Sequence, residues 1–453
     1  MPLFDKYNLA IERTDPIKFT GTVSRVQGLL IESSGPQVVL GELCQILIPN
    51  VPQPVWAEVV GVRGKTVQLM PYTDIAGIEV GCQVTAMGET LTVPVSDKLL
   101  GRVLDSMGRP IDGKGFAGAA DWYSIYSEPP DVLRRSQIKE RIVTGIRSID
   151  ALCAAGKGQR LGIFSGSGVG KSTLLGMIAR NTEADVNVIA LIGERGREVR
   201  EFIENDLGPE GLKRSVLVVA QSNAPPLARL RGAYMATTIA EYFRDQGKDV
   251  MLLFDSVTRF ARAQREIGLA VGEPPATRGF TPSVFSQLPK LLERCGTSNC
   301  GTITGFYTIL VEGDDLDEPV SDTVRGILDG HIVLSRRLAE RYHYPAIDVL
   351  ASLSRLGIKV TSPEEQKAAG YFRRLLAVYT EAEDLINVGA YAEGSNPQID
   401  EALAKIGAMN EFLAQGITEK AEIGDTLRKL SQLTGIEIPD AGDDGSGEAE
   451  KEE

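Results

Sequence analysis

Apolar positions along this chain change their period twice, and each texture predicts a different architecture. From residue 18 to about 92 they come in short runs, at 21–26, 45–48, 56–60 and 66–70. Glycines recur between the runs, at Gly28, Gly35, Gly41, Gly61, Gly64, Gly77 and Gly81. Short strands broken by glycine turns, with no long helical period, predict a small β-barrel or sandwich. From about 95 to 362 nearly continuous apolar runs (160–164, 187–192, 216–219, 250–254) alternate with helix-like stretches (171–180, 198–207, 234–246). That alternation predicts a parallel sheet covered on both faces. From 363 to about 439 helical spacing dominates, as in Tyr371-Phe372-Arg373-Arg374-Leu375-Leu376. The expected organisation is therefore a β-barrel domain with a flexible start (1–94), an α/β domain (95–362), a helical domain (363–439) and a terminal tail (440–453).

Composition narrows the class. The chain has 453 residues, 43% of them hydrophobic and 24% charged, which excludes wholesale disorder. No apolar run approaches the ~20 residues of a membrane helix, and the first residues lack a basic-then-apolar secretory pattern. Lys and Arg total 48 against 61 Asp and Glu, a net charge of −13 that argues against a nucleic-acid coat. Residues 440–453 hold seven acids and one lysine, a composition expected to be disordered and solvating. Of the five cysteines only Cys295 and Cys300 are close, and no histidine joins them, so a zinc site is not expected. With His331 and His343 the only histidines, acid–base work falls to carboxylates.

The segment Ser165-Gly166-Ser167-Gly168-Val169-Gly170-Lys171-Ser172-Thr173 follows a strand-like run and opens a helix-like one. A glycine-rich loop in that position wraps phosphates with backbone N–H groups, helped by the helix dipole. Lys171 would offset β/γ-phosphate charge, and the Ser172 hydroxyl would ligate Mg²⁺. The strict pattern has Gly where Ser165 stands. The apolar run before Asp255 ends in that carboxylate, which would serve the same Mg²⁺ site. Glu194 also closes an apolar run and could polarise an attacking water. From spacing alone, a solvated turn with helix-capping charge stands as the alternative reading of Glu194 and its arginines.

Longer motifs carry a resemblance. The run Leu191-Ile192-Gly193-Glu194-Arg195-Gly196-Arg197-Glu198-Val199-Arg200-Glu201-Phe202-Ile203-Glu204 resembles that of the type III export ATPases, relatives of the rotary ATP synthase β subunit. So do Asp255-Ser256-Val257-Thr258-Arg259-Phe260-Ala261-Arg262, Gly272-Glu273-Pro274-Pro275 and Pro345-Ala346-Ile347-Asp348-Val349-Leu350-Ala351-Ser352-Leu353-Ser354. Tyr391-Ala392-Glu393-Gly394-Ser395-Asn396-Pro397 is similar to the export ATPases rather than the synthase, and the phosphate loop is more similar to flagellar than to injectisome versions.

The resemblance implies a RecA-like P-loop core between an N-terminal β-barrel and a C-terminal helical domain. It implies ATP as substrate with Mg²⁺, and puts catalytic roles on Lys171, Glu194 and Arg195. By the same resemblance Tyr344 stacks on adenine and Arg355 acts as a finger into a neighbouring subunit. It further implies a homo-hexamer at the cytoplasmic face of the inner-membrane export gate, handling secreted proteins and their chaperones. A stator-like regulator would bind near residues 1–20, and a central stalk protein would meet the C-terminal helices. An injectisome ATPase, a synthase β-type subunit, a non-catalytic ring subunit and a hexameric RNA helicase stand as alternatives. The last would need an aromatic, basic barrel surface, where the sequence offers Trp56 but no clear aromatic cluster.

Overall fold

The computed structural model describes residues 18–439 except 132, 134, 312 and 314. The acidic stretch 440–453 and the proposed regulator-binding start lie largely or wholly outside the described residues.

Six strands, Thr20–Gln27, Leu30–Ser34, Glu42–Leu47, Val55–Arg63, Thr66–Pro71 and Gln83–Thr90, close into a barrel. Around it the strands run first, second, fifth, fourth, third and sixth, all pairs antiparallel. Period-two alternation fills the inside: Val55, Ala57 and Val59, then Val67 and Leu69, all point into one apolar cluster with Ile31 and Val84. Met70, one residue out of phase with Leu69, belongs instead to the core of the next domain. There the barrel docks, and the contact is pinned by a buried ion pair. Glu58 of the barrel accepts from Arg231 Nε at 2.9 Å and from the Tyr72 and Tyr126 hydroxyls at 2.6 and 3.0 Å.

The central domain is a nine-stranded sheet. From one edge its path runs Ile347–Ser354, Gly330–Leu334, Arg160–Ser165, Thr302–Leu310, Asp249–Asp255, Val186–Glu194, Ser215–Gln221 and Arg102–Asp105, and the ninth strand, Gly296–Thr297, pairs with Thr302–Leu310 off that path. Alternate residues of Val186–Glu194 divide between its faces. Val188, Ala190 and Ile192 enter one apolar cluster, Ile189 and Leu191 the other. A strand buried on both sides reads as a continuous apolar run for this reason.

Two features depart from the sequence reading. The edge strand Ile347–Ser354 runs antiparallel, because the connection 335–346 returns directly without crossing the sheet. The stretch expected as one helix over 198–207 is α-helical from Gly196 to Glu201 and π-helical from Phe202 to Leu207. The wider π turn lies where Asp206 abuts Gly176 of the neighbouring helix, with no room for a side chain between them.

Three helices, Pro363–Asn387, Pro397–Leu413 and Ile423–Thr434, form the C-terminal region. The first opens on a capping box: Glu365 N donates to Ser362 Oγ at 3.2 Å, and Ser362 N donates to Glu365 Oε1 at 3.1 Å. Phe372, Leu375, Phe412 and Leu430 share one cluster with the central sheet, so this region packs as an extension of the core.

Candidate active site

The strand Arg160–Ser165 and the helix Lys171–Asn181 flank the glycine loop. Gly168 (φ 78°) and Gly170 (φ 94°) hold left-handed backbone, and a Cβ at Gly168 would meet nothing within 4 Å. Conformation rather than space therefore demands glycine there. Ser165, where the strict pattern has glycine, is the last residue of the strand and has no positive φ, so its side chain is tolerated. Its Oγ is buried without a hydrogen-bond partner among the described residues. No side chain caps the helix at Gly170, leaving its first N–H groups free to face an anion. Val169 is buried in the core and anchors the loop, so only its backbone can meet a ligand.

Asp255 and Glu194 end adjacent parallel strands, with Leu191 directly opposite Asp255. Lys171 reaches both carboxylates. Its Nζ lies 2.5 Å from Asp255 Oδ1 and 3.7 Å from Glu194 Oε1, a full bond to the first and an ion-pairing distance to the second. The Thr308 hydroxyl donates to the same Asp255 oxygen at 2.8 Å. Burial, reinforced by the Asp255 charge and opposed by Lys171, pushes the Glu194 carboxyl up to about 7. Glu194 Oε1 is buried without a hydrogen-bond partner among the described residues. A raised carboxyl with an unused acceptor, beside a cation, is the pattern expected of a reacting site.

The sequence reading missed Arg259. It lies on the helix Val257–Val271, with its side chain packed against Gly193 and its Nε buried without a hydrogen-bond partner among the described residues. Its charge acts on Glu194. The signal was present: Arg259 stands one helical turn beyond Asp255, on a helix that starts at the same sheet edge.

Not every expected residue joins the cluster. Ser172 is exposed on the first turn of the loop helix, and Thr173 lines the adjoining cavity. That cavity, of about 1180 Å³, is bounded by Gly168, Gly170, Arg147, Tyr344 and Phe412. The Tyr344 ring would lie 3.6 Å from a Cβ on Gly170, which puts it at the mouth of the loop. Arg195 points away, its side chain 76% exposed and paired to Glu198 at 3.5 Å. Arg355 is remote from the loop of its own chain. The strand before it is antiparallel, and Ser354 pairs with Gly330 at the sheet edge opposite the loop.

A hydroxyl (Ser172) and a carboxylate (Asp255) are hard oxygen donors of the kind Mg²⁺ takes. Among the described residues no group of three or more His, Cys, Asp or Glu could hold a metal unaided. Mg²⁺ fits such a donor set because it completes its shell with phosphate oxygens and water.

Family models place this geometry. Residues 145–354 match the nucleotide-binding domain of the ATP synthase alpha/beta family, and residues 23–88 its beta-barrel domain. Residues 361–432 match the T3SS EscN ATPase C-terminal domain. The chain is 60% identical to the flagellum-specific ATP synthase of Treponema pallidum over 436 residues, 96% of this chain and 98% of that one. Among solved structures it is similar to the assembled ATPase EscN of enteropathogenic E. coli, with a TM-score of 0.87 and 44% identity over 91% of this chain and all of that one. The same ATPase in complex with its central stalk EscO gives 0.85 at 44% identity, with the same coverage. The chain belongs to the ATP synthase alpha/beta family, as one of its type III secretion and flagellar export ATPases.

Proposed function

We propose that this ATPase hydrolyses ATP at the Lys171 site to drive release and unfolding of flagellar proteins for export. What supports the reading is the meeting of one ammonium and two strand-end carboxylates beneath a glycine loop, in a chain 60% identical to a flagellar relative. Backbone N–H groups of residues 166–173 cradle the phosphates, with the Ser165 and Ser167 hydroxyls beside them, and Lys171 meets β/γ charge. Magnesium held by Ser172 and Asp255 would supply further neutralisation of the phosphate oxygens. Glu194 accepts a hydrogen bond from the attacking water through its unpaired Oε1 and takes up its proton as the water–phosphorus bond forms and the bond from the γ-phosphorus to the β–γ bridging oxygen breaks, ADP leaving with that electron pair. Arg259 steadies the growing negative charge from the other side of Glu194. Tyr344 meets the base.

Assembly completes the proposal. The chain forms a homo-hexameric ring in which Arg355 of one subunit faces the loop of the next. A central stalk protein meets the C-terminal helices; the related EscN is likewise found in complex with a central stalk, EscO. A stator-like regulator binds the N-terminal segment, and the ring works peripherally at the cytoplasmic side of the export gate. The domains divide at about 94 and 362. Phosphate release is the test of the site. Lys171→Ala should lose nucleotide binding, and Glu194→Gln should bind nucleotide yet turn over at least about two orders of magnitude more slowly. Wild-type turnover in Glu194→Gln would remove that residue from the role.

A further inference from the structure

The connection 335–346 joins two antiparallel neighbours, a task that a turn of a few residues can perform. Here it forms a short helix, Arg336–Glu340, and then a loop that closes where Ser335 N donates to Ala346 O at 2.8 Å. Tyr344 stands on that loop against Gly170. Two ties hold it to the C-terminal region. On one side Gln415 N donates to Tyr344 O at 3.0 Å. On the other, Glu383, near the end of the helix Pro363–Asn387, accepts from Arg337 Nη2 and, at 2.6 Å, from Arg341 Nη1.

The carboxylate is the unusual partner. The Glu383 side chain is 9% exposed, while those of Arg337 and Arg341 are 58% and 52% exposed. A carboxylate is costly to bury, and the two guanidinium groups that compensate it both come from the connection. Backbone strain sits between the tie and the site. Tyr342, one residue past Arg341 and two before Tyr344, has φ 63° although its side chain is 90% exposed. The C-terminal cap of the short helix holds Tyr342 in that conformation: Tyr342 N donates to Ala339 O and His343 N to Leu338 O, both at 3.0 Å. A non-glycine residue in this region costs about 1–3 kcal/mol and persists where its surroundings over-determine it.

We propose that Glu383 is a positioning residue for the nucleotide pocket: by gripping Arg337 and Arg341 it sets where Tyr344 stands against the phosphate loop. This deepens the function proposed above and rests on its reading that Tyr344 meets the base. The base end of the site thereby depends on the placement of a C-terminal helix, while the phosphate end is built wholly on the central sheet.

The test separates those two ends of the ligand. Glu383→Gln keeps the shape and loses the charge that holds both guanidinium groups. Its KM for ATP should rise about ten-fold with kcat changed less than about two-fold, the signature of lost binding without lost chemistry. Affinity for tripolyphosphate, which has no base, should stay at the wild-type value. Glu383→Asp should recover part of the loss, and in a Tyr344→Ala background Glu383→Gln should add nothing. If tripolyphosphate binding weakens equally, Glu383 is a general structural pin and the proposal fails. If Tyr344→Ala raises KM but Glu383→Gln does not, the base reading stands and the Glu383 role falls. If Tyr344→Ala leaves KM unchanged, both fall. Should Glu383→Gln not fold, Arg341→Gln, at a half-exposed position, tests the same grip by the same measurements.

Discussion

Glu194 shows how a residue is made reactive at a cost. Burial and the neighbouring Asp255 charge raise its carboxyl from an ordinary 4.5 to about 7, so the ionised form that polarises water is disfavoured in the fold. Two outcomes follow from that sign. Protonation disables the residue, so kcat/KM should fall on the acid side with a midpoint near pH 7, read by phosphate release from pH 5.5 to 8.5. Stability runs the other way. The folded carboxyl holds its proton more tightly than the unfolded one, so its contribution is fully present below about 4.5 and is lost as pH rises to about 7. Glu194→Gln mimics the protonated form. It should therefore melt above the wild type at pH 8, and the gap should shrink toward pH 5. Equal melting at both values would mean the carboxyl is not strained.

At the scale of elements, the helix behind the loop is placed by a contact that leaves no tolerance. Gly176, in the middle of Lys171–Asn181, is where the π turn approaches, and a Cβ there would sit 2.6 Å from Asp206 Cβ and 2.8 Å from its carbonyl oxygen. Helix propensity alone favours Gly→Ala by about 1 kcal/mol. Overpacking against backbone costs about 1–3 kcal/mol. The second term wins over most of its range, so Gly176→Ala should be destabilised by up to about 2 kcal/mol in denaturant titration and should weaken nucleotide binding as the helix start shifts. A stabilised variant would show that the π segment yields freely.

At the scale of the whole molecule, one expected site residue has nothing to act on within its own chain. Lys171, Asp255, Glu194 and Arg259 gather at one edge of the sheet, whereas Arg355 stands at the opposite edge. An arginine finger is worth about 10³–10⁵ in turnover where one operates, and a residue so placed can reach a γ-phosphate only in a neighbouring subunit. Activity should rise cooperatively with protein concentration as rings form. Mixing inactive Lys171→Ala with inactive Arg355→Ala should restore hydrolysis at interfaces that pair an intact loop with an intact finger. Diluting wild type with Lys171→Ala at fixed total protein then reads how many sites must act together. No rescue on mixing, with a strictly linear decline on dilution, would show that each chain works alone.

Local rules were enough to read much of this from the residues in order. Buried strands must be continuously apolar, left-handed loop positions must be glycine, and a strand-ending carboxylate must lie at the sheet's carboxyl edge. The barrel texture, the loop 165–173 and Asp255 followed from rules of that kind, while Glu194 stayed open to a capping-turn reading until the family resemblance gave it a catalytic role. What stayed hidden depends on which elements become neighbours. Periodicity does not say that Asp255 and Glu194 end adjacent strands within reach of one ammonium, that Arg259 turns inward while Arg195 turns to solvent, or that the last strand comes back antiparallel. Nor does it say that Glu383, 212 positions after Lys171 in the chain, grips the loop carrying Tyr344. The sequence by itself determined the kinds of element and the groups able to do chemistry, because those depend on backbone conformation and burial period within a few residues. Only the tertiary structure decided which groups share a site, because sheet order and helix docking are set by packing between segments that no local pattern connects.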